Sequence, residues 1–340
     1  MVLRDERVTL AHGGGGRAMR DLIEEVFTSV FRPPCMEDQA RLQAQALAEP
    51  GARLAFTTDS FVVDPVEFPG GDIGKIAVCG TVNDLAVGGA KPLWLSAAFI
   101  IEEGTEVALL RRIVASMAAE AEKAGVQIVT GDTKVVGRGM ADKVFVTTSG
   151  IGVIPSGRDL AAEHVRAGDV AIVNGVLGDH GAAILAARGD MALSSGIISD
   201  CRGLGHLMEA VIAAAPGIRA ARDATRGGVA AVLNEIAAEA GVAIEIDETA
   251  LPLRAEVKGV CEILGLDPLY LANEGTLVLF VPRDQAEAAQ AAMRGTSAGR
   301  DATVIGRVVA GAAGRVTLRT AFGGARIIDT LVGEQLPRIC

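Results

Sequence analysis

The chain has 340 residues, of which 50% are hydrophobic and 22% charged, with a formal net charge of −10. This composition excludes a chain that is disordered along its whole length. The excess of acidic residues and the aromatic content of only 3% argue against nucleic-acid binding. No apolar run approaches the roughly 20 residues of a transmembrane helix, and the first residues lack the apolar core of a signal peptide, so we expect a cytoplasmic protein.

The first 155 residues predict an N-terminal α+β domain. Apolar residues recur every three or four positions in the helical segments, as Val107, Leu110 and Val114 do. The predicted elements are a helix over residues 17–31, a strand over 53–58, a helix over 72–89, a strand over 92–101, a helix over 105–124 and strands over 126–136 and 143–154. From residue 53 onward the order is βαβαββ, which is typical of a sheet covered by helices.

A second α+β domain is predicted over residues 165–333, after a linker that we place within 155–168. Its predicted elements are strands over 169–174, 242–246, 276–281, 301–309 and 314–319 and helices over 179–188, 203–214, 227–240, 254–264 and 284–294. Residues 334–340 are expected to form a mobile tail, because Pro337 blocks a helix there and chain termini are usually mobile.

Two glycine-rich turns are candidates for phosphate binding. His12 is followed by Gly13, Gly14, Gly15 and Gly16 immediately before a predicted helix, and Gly227-Gly228 precedes another. Backbone N–H groups of consecutive glycines at a helix start can surround a phosphate, although a flexible loop explains the same pattern. A P-loop is excluded, because Ile76 follows Lys75 where the motif requires Ser or Thr.

Aspartates near predicted strand and helix ends indicate a metal–nucleotide site. They are Asp38, Asp59, Asp84, Asp132 and Asp223. Carboxylate oxygens are the ligands that Mg²⁺ prefers when it is bound to phosphates. Each aspartate alone is explained equally well as a cap or turn residue, so the hypothesis depends on the whole set.

The cysteines are dispersed and include none in a Cys-x-x-Cys pair, which argues against a structural zinc site and favours a reducing compartment. Cys79 lies in an apolar helical pattern and is expected to be buried, whereas Cys340 is the last residue. Two polar positions remain open. Glu274, in Asn273-Glu274-Gly275, is either a turn residue or a general acid or base, and His180 is a candidate helix cap.

These segments together resemble the ATP-dependent synthetase superfamily of PurM-like fold, which contains aminoimidazole ribonucleotide synthetase, selenophosphate synthetase and thiamin monophosphate kinase. The resemblance lies in the glycine loop after His12 and in Thr57-Thr58-Asp59-Ser60, Asn83-Asp84-Leu85-Ala86, Gly131-Asp132-Thr133 and Arg222-Asp223-Ala224-Thr225-Arg226-Gly227-Gly228. Gly178-Asp179-His180-Gly181, Leu271-Ala272-Asn273-Glu274-Gly275 and the ending Pro337-Arg338-Ile339-Cys340 are similar to the HypE family of hydrogenase maturation proteins within it. The resemblance covers essentially the whole chain.

The resemblance implies a homodimer in which the N-terminal domains pair their sheets into a barrel, with ATP at the domain interface. It also implies that HypF loads a carbamoyl group on Cys340, which is dehydrated with ATP to a thiocyanate. The cyanide would then pass to the HypC–HypD complex for the iron of [NiFe]-hydrogenase.

Site roles follow from the same resemblance. Asp38, Asp84 and Asp223 would hold Mg²⁺. The residues expected to bind ATP are Gly13, Gly14, Gly15, Gly16, Asp59, Asn83, Asp132, Thr133, Arg226, Gly227 and Gly228. Glu274 would act as the base, and Lys134 would stabilise charge developing on the carbamoyl oxygen or the phosphoryl group.

Three alternatives are weighed against this function. A selenophosphate synthetase uses a cysteine or selenocysteine near its N-terminus, and here the first cysteine is Cys35. A kinase similar to thiamin monophosphate kinase does not need a terminal cysteine. A non-enzymatic scaffold that binds nucleotide and docks Hyp partners would not need the set of aspartates.

Overall fold

The computed structural model describes residues 5–34, 39–43, 45, 48–189, 196–331 and 338–340. The described residues form two compact units, one within 1–85, 90–156 and 340, the other within 86–89 and 157–339. The predicted domain bounds, 1–155 and 165–333 with a tail from 334, stay a prediction. None of the helices formed by the described residues is long and apolar enough to cross a bilayer.

The first unit is built on a four-stranded sheet. Its strands are β1 (Arg53–Phe61), β4 (Lys91–Glu102), β5 (Gln127–Val136) and β6 (Val144–Ile154), and a small hairpin is formed by β2 (Glu67–Phe68) and β3 (Gly71–Asp72). The order across the sheet is β1-β6-β4-β5, in which β4 and β5 are parallel and the other pairs antiparallel. The strands at the two edges are therefore β1 and β5.

One face of this sheet is covered and the other is open. Leu95, Phe99 and Val146 are buried on the face that meets the helices α3 (Ile73–Val87) and α4 (Val107–Ala124). Side chains alternate between the faces along each strand, so the neighbouring positions point the other way. The open face carries apolar residues, among them Phe56, which is 67% exposed.

The helix predicted over residues 17–31 contains a change of winding. It comprises α1 (Arg17–Leu22), a π-helical segment (Ile23–Thr28) and α2 (Ser29–Phe31). Phe27, in the π-helical segment, packs against Phe99 of β4 with ring centroids 4.8 Å apart and the ring planes tilted by 52°. π-helical turns are uncommon, and the spacing of apolar residues in a sequence does not distinguish them from α-helical turns, so this segment was not predicted.

The second unit is built on a seven-stranded sheet. Its elements are β7 (Val170–Val173), α5 (Asp179–Arg188), α6 (Gly205–Ala214), β8 (Ala220–Asp223), α7 (Gly228–Ala240), β9 (Ala243–Asp247), α8 (Ala255–Leu264), β10 (Leu277–Val281), α9 (Ala286–Arg294), β11 (Thr303–Val309), β12 (Arg315–Arg319) and β13 (Ala325–Ile328). The order is β13-β12-β9-β11-β7-β10-β8, and β9 with β12 is the parallel pair.

Two apolar cores lie against this sheet. One includes Val229 and Leu233 of α7, and the other includes Leu207 of α6 and Met293 of α9. Strand β10, which lies between β7 and β8, is buried at every position. Its continuous Leu-Val-Leu-Phe-Val run is typical of a strand with both faces covered. Strands β8 and β13 are absent from the sequence prediction, because both are short and combine alanine with arginine.

Candidate functional site

In the first unit, β1 and α3 bring two of the predicted aspartates to one corner. Thr57 of β1 donates a hydrogen bond from Oγ1 to Oδ2 of Asp84 at 2.8 Å. Burial raises the pKa of Asp84, and the Asp59 carboxylate adds to this effect, while the bond from Thr57 opposes it. Neighbouring carboxylates that disfavour each other's charge suit a cation, and Asn83 is buried beside them.

Asp132 and Lys134 lie on β5, at the other edge of the same sheet. Lys134 Nζ binds both carboxylate oxygens of Asp132, at 2.9 and 2.7 Å, and both side chains are exposed. Since β6 and β4 separate β1 from β5, Asp59 and Asp132 lie about 14 Å apart across three strand spacings. One copy of the sheet does not bring these two predicted nucleotide ligands together.

The glycine loop packs beside β5. Residues Leu10–Gly13 form a single 3₁₀ turn, and a Cβ on Gly13 would lie 2.9 Å from Cβ of Val135. Gly15 has a φ of +74°, which favours glycine, and no described atom lies within 4 Å of a Cβ placed there or on Gly16. The loop thus has close packing at its first glycine and open space at its last.

A cavity of about 150 Å³ adjoins the part of β5 from Ile128 to Thr133. Phe27, Phe31 and Phe99 supply apolar walls, and Asp132 and Thr133 also line it. Thr133 Oγ1 is buried and has no hydrogen-bond partner among the residues that the structure describes. An apolar cavity with such a hydroxyl suits a planar group that carries a hydrogen-bonding edge.

In the second unit, two predicted motifs lie side by side. Asp223 ends β8, where it pairs with Leu277 of β10. The carbonyl of Ala224 accepts bonds from the backbone N–H of Asn273, at 3.1 Å, and from its Nδ2, at 2.8 Å. Pairing of β8 with β10 therefore places Asp223 close to the segment that carries Glu274.

Gly227 and Gly228 have a packing reason to be glycine. Both have positive φ values, +76° and +61°. A Cβ on Gly228 would lie 2.5 Å from the carbonyl oxygen of Leu269 and 2.6 Å from that of Leu271. The start of α7 packs closely on the segment that leads to Asn273, and the phosphate contact of Arg226, Gly227 and Gly228 stays a prediction.

Glu274 is buried, 2% exposed, and its backbone is held by a residue that the sequence did not indicate. Asp200 Oδ1 accepts the backbone N–H of Glu274 at 2.9 Å. Its Oδ2 accepts the N–H of Gly275 at 3.0 Å and the hydroxyl of Thr276 at 2.9 Å. Asp200 stands in no recognisable motif, so only the contact across 74 residues identifies it.

His180 does not cap a helix, which corrects the expectation. The residue before α5 is Gly178, whose N–H is bound by Asn273 Oδ1 at 2.7 Å, and His180 points elsewhere. Its Nδ1 lies 2.8 Å from Ser199 Oγ, and its Nε2 lies 2.8 Å from the carbonyl oxygen of Ile339. The side chain thus contacts the last peptide of the chain.

Cys340 is half-buried, and its carbonyl oxygen accepts the N–H of Val62 at 3.0 Å. Cys79 is buried, as predicted, and so are Cys201 and Cys261. Burial raises the pKa of Cys261 to about 11. Cys340 is therefore more exposed to solvent than these three cysteines.

No group of three or more His, Cys, Asp or Glu residues within the described ranges is arranged to hold a metal ion. Asp38, one of the three predicted ligands, lies outside the described residues, as do Cys35 and Pro337. The magnesium set of Asp38, Asp84 and Asp223 therefore stays a prediction.

Comparisons with known proteins agree on one family. Models of the AIR synthase related proteins match residues 36–154 with the N-terminal domain and 166–319 with the C-terminal domain. The carbamoyl dehydratase HypE of Rhodobacter capsulatus is 79% identical over 340 residues, which is 100% of both chains.

Solved structures agree with the sequence matches. The structure of hydrogenase maturation protein HypE in complex with ATP has a TM-score of 0.92 and 44% identity, over 98% of this chain and 99% of that chain. The structure of a HypE–HypF complex matches with a TM-score of 0.79 and 47% identity, over 91% and 99%. The chain therefore has the two-domain PurM-like fold and belongs to the HypE family of carbamoyl dehydratases.

Proposed function

We propose that this protein is an ATP-dependent carbamoyl dehydratase that converts an S-carbamoyl group on its own Cys340 into a thiocyanate. The product would supply the cyanide ligands for the iron of [NiFe]-hydrogenase. The observation that carries the proposal is the seat of the chain end: the carbonyls of Arg338 and Ile339 are bound by Arg188 and His180, each at 2.8 Å. The full-length match to carbamoyl dehydratases favours this function over a selenophosphate synthetase, a small-molecule kinase or a scaffold.

The reaction removes the elements of water from the carbamoyl group. Transfer of the γ-phosphoryl group of ATP to the carbamoyl oxygen turns that oxygen into a phosphate leaving group. Cleavage of its C–O bond, with loss of both protons from nitrogen, leaves the thiocyanate on Sγ of Cys340. ADP and phosphate leave, and the carbamoyl oxygen departs within the phosphate.

Glu274 and Lys134 are the proposed catalytic residues. Glu274 is buried on a segment fixed by Asp200, and we assign its carboxylate the role of the base that takes a proton from nitrogen. Lys134 is paired with Asp132 at the surface, where an ion pair contributes about 0–1 kcal/mol. Its ammonium can therefore exchange partners and stabilise negative charge on the phosphoryl group.

ATP binding is supported by the structure of a relative in complex with ATP. We assign the phosphates of ATP to the glycine loop and to the Arg226-Gly227-Gly228 turn. We assign its adenine ring to the cavity lined by Phe27 and Thr133. Asp38, Asp84 and Asp223 would hold Mg²⁺, which would neutralise phosphate charge when bound. The raised pKa of Asp84 beside Asp59 fits a carboxylate that is partnered by a cation.

A homodimer would complete the site. Leu54, Phe56 and Ile100 expose 55, 67 and 43% of their surface on the open face of the four-stranded sheet. An apolar sheet face of this kind is typically covered by a partner. If two copies pair these faces into a barrel, Asp132 of one copy can join Asp59 of the other, although they lie at opposite edges of one sheet.

HypF is the proposed carbamoyl donor, because a HypE–HypF complex is among the matching structures. The HypC–HypD complex is the proposed cyanide acceptor, and this step follows from the family resemblance alone. A cytoplasmic location stays a prediction of the sequence.

The test is mass spectrometry of the C-terminal peptide after incubation with HypF, carbamoyl phosphate and Mg²⁺-ATP. We expect Cys340 to gain a carbamoyl group that then loses one water. With a non-hydrolysable ATP analogue in the second stage, the carbamoyl mass should persist. A Cys340→Ser variant should bind ATP but carry no adduct. A carbamoyl adduct that is stable in Mg²⁺-ATP, or none at all, would refute the dehydratase and leave a nucleotide-binding scaffold.

A further inference from the structure

The backbone of Arg338 and Ile339 binds to a docking site in the second unit, formed by His180 and Arg188, which we call the seat. The carbonyl oxygen of Ile339 lies 2.8 Å from Nε2 of His180, which is fully buried, and Arg188 donates to the carbonyl of Arg338 at 2.8 Å. Ile339 itself is 3% exposed. Two side-chain hydrogen bonds to backbone carbonyls and one buried apolar side chain thus hold the residues that precede Cys340.

The chemistry of the partners determines how His180 binds. A carbonyl oxygen can only accept, so Nε2 carries the proton and donates it to Ile339. Nδ1 then accepts from the hydroxyl of Ser199, whose oxygen also accepts the N–H of Cys201 at 3.1 Å. Burial lowers the pKa of His180, more than the bond to Ile339 and the charge of Asp200 raise it. The neutral ring therefore has one donor and one acceptor, and both are used.

The seat is connected to Glu274 through two consecutive residues. Ser199 orients His180, while Asp200 holds the backbone of Glu274 and Gly275. Gly275 packs directly on the carbonyl of Asp200, where any Cβ would clash. The backbone of the proposed base and the histidine that binds the chain end are thus both fixed by the Ser199-Asp200 segment.

We propose that His180 is a positioning residue, which docks the Ile339 peptide and thereby limits the positions that the group carried on Cys340 can take during dehydration. It acts on the dehydration step and not on loading by HypF, because loading needs the terminal thiol to be accessible to another protein. This inference rests on the proposed function. Its structural part, the docking of the chain end, does not depend on any activity.

The first experiment measures docking without catalysis, by the rate at which carboxypeptidase releases the C-terminal residues of the ligand-free protein. Loss of one buried hydrogen bond should speed release by roughly fivefold in His180→Ala. Arg188→Ala should also speed release, because it removes the bond to the Arg338 carbonyl. Since Arg188 is not buried in the core, this variant is expected to fold. The matched control is His164→Ala in the same unit, which should release at the wild-type rate because the His164 ring lies 2.9 Å from Asp159 and not at the chain end.

The second experiment separates loading from dehydration by quantifying the carbamoyl and thiocyanate forms of Cys340 over time. We expect His180→Ala to load at the wild-type rate and to dehydrate roughly fivefold more slowly. His180→Gln should restore much of the dehydration rate, because its amide N–H can donate to Ile339.

The outcomes separate the two proposals. Equal carboxypeptidase release from wild type, His180→Ala and Arg188→Ala would overturn the docking seat. Loss of thermal stability in His180→Ala with unchanged release, or an equal slowing of loading and dehydration without rescue by glutamine, would show a merely structural histidine. If wild type loads but never dehydrates, the proposed function fails while the release rates still decide the seat.

Discussion

At the scale of single residues, the ionised carboxylate of Asp84 destabilises the folded protein, and a bound cation would reduce this destabilisation. A carboxyl whose pKa is raised on folding contributes stability while protonated, and this contribution is lost as the pH rises through the raised pKa. At neutral pH Asp84→Asn should therefore raise the melting temperature of the metal-free protein, by about 2 °C. The asparagine can still accept the bond from Thr57. The same change should weaken Mg²⁺-ATP binding by at least about tenfold, because a carboxylate ligand is lost.

Thermal melts with and without Mg²⁺-ATP check both effects of Asp84→Asn. Glu122→Gln, at an exposed carboxyl of α4 in the same unit, is the control and should leave both melts unchanged. An Asp84→Asn protein that gains as much stability from Mg²⁺-ATP as wild type would contradict the assignment of Asp84 as a ligand.

The thiols give a second prediction at this scale. With a pKa of about 11, Cys261 has almost no thiolate at pH 8, and its burial also excludes reagents. In a Cys35→Ser background, iodoacetamide should alkylate Cys340 in the folded protein and reach Cys261 only after denaturation. Peptide mapping by mass spectrometry measures this. Labelling of Cys261 as fast as Cys340 would remove the distinction on which the carrier role depends.

At the scale of elements, the start of α7 requires a glycine whereas the middle of α8 does not. Alanine at Gly228 combines a φ of +61° with a clash against two carbonyl oxygens, so Gly228→Ala should lower the free energy of unfolding by more than about 1–2 kcal/mol. Gly259 lies within α8, with no described atom within 4 Å of its Cβ position. Gly259→Ala should raise the free energy of unfolding by about 0.5–1 kcal/mol.

Urea denaturation of these two alanine variants, followed by circular dichroism, tests the pair. Because both variants add the same methyl group at a helical glycine of the same unit, their opposite signs isolate the effect of packing and backbone conformation. Equal stabilities would mean that α7 does not meet the carbonyls of Leu269 and Leu271 as closely as described.

At the scale of the whole molecule, the open sheet face predicts self-association. Phe56→Glu places a charge on the apolar face and should convert a dimer into monomers. The same substitution at Phe322, which is 100% exposed in the second unit, should leave the dimer intact. Size-exclusion chromatography with light scattering measures the masses. A wild-type protein that is monomeric at micromolar concentration would contradict the dimer.

Phe56→Glu should also weaken ATP binding if the second copy supplies Asp132, and Phe322→Glu should not. Calorimetric titration of ATP into both variants compares them. ATP affinity that is unchanged in monomeric Phe56→Glu would show that one copy contains the whole nucleotide site.

Most of the strands and helices described in both units follow from local apolar patterns, although β8 and β13 do not. Alternation along β6 and the continuous apolar run of β10 predicted their strands within one or two residues. The same rule missed β8, whose four residues Ala-Ala-Arg-Asp have no strand pattern of their own. β8 exists because β10 offers it an edge, and it is this pairing that sets Asp223 beside the Glu274 segment.

The sequence by itself determined the family, and its local motifs supplied the candidate carboxylates and the thiol of Cys340. A motif consists of residues that are close together along the chain, so it can be read directly from the sequence. Only the tertiary structure decided that Asp59 and Asp132 lie at opposite edges of a sheet, that Asp200 holds Glu274, and that His180 binds a peptide 159 residues away. Strand order and such long-range hydrogen bonds depend on how distant segments pack, and no local pattern of residues encodes that.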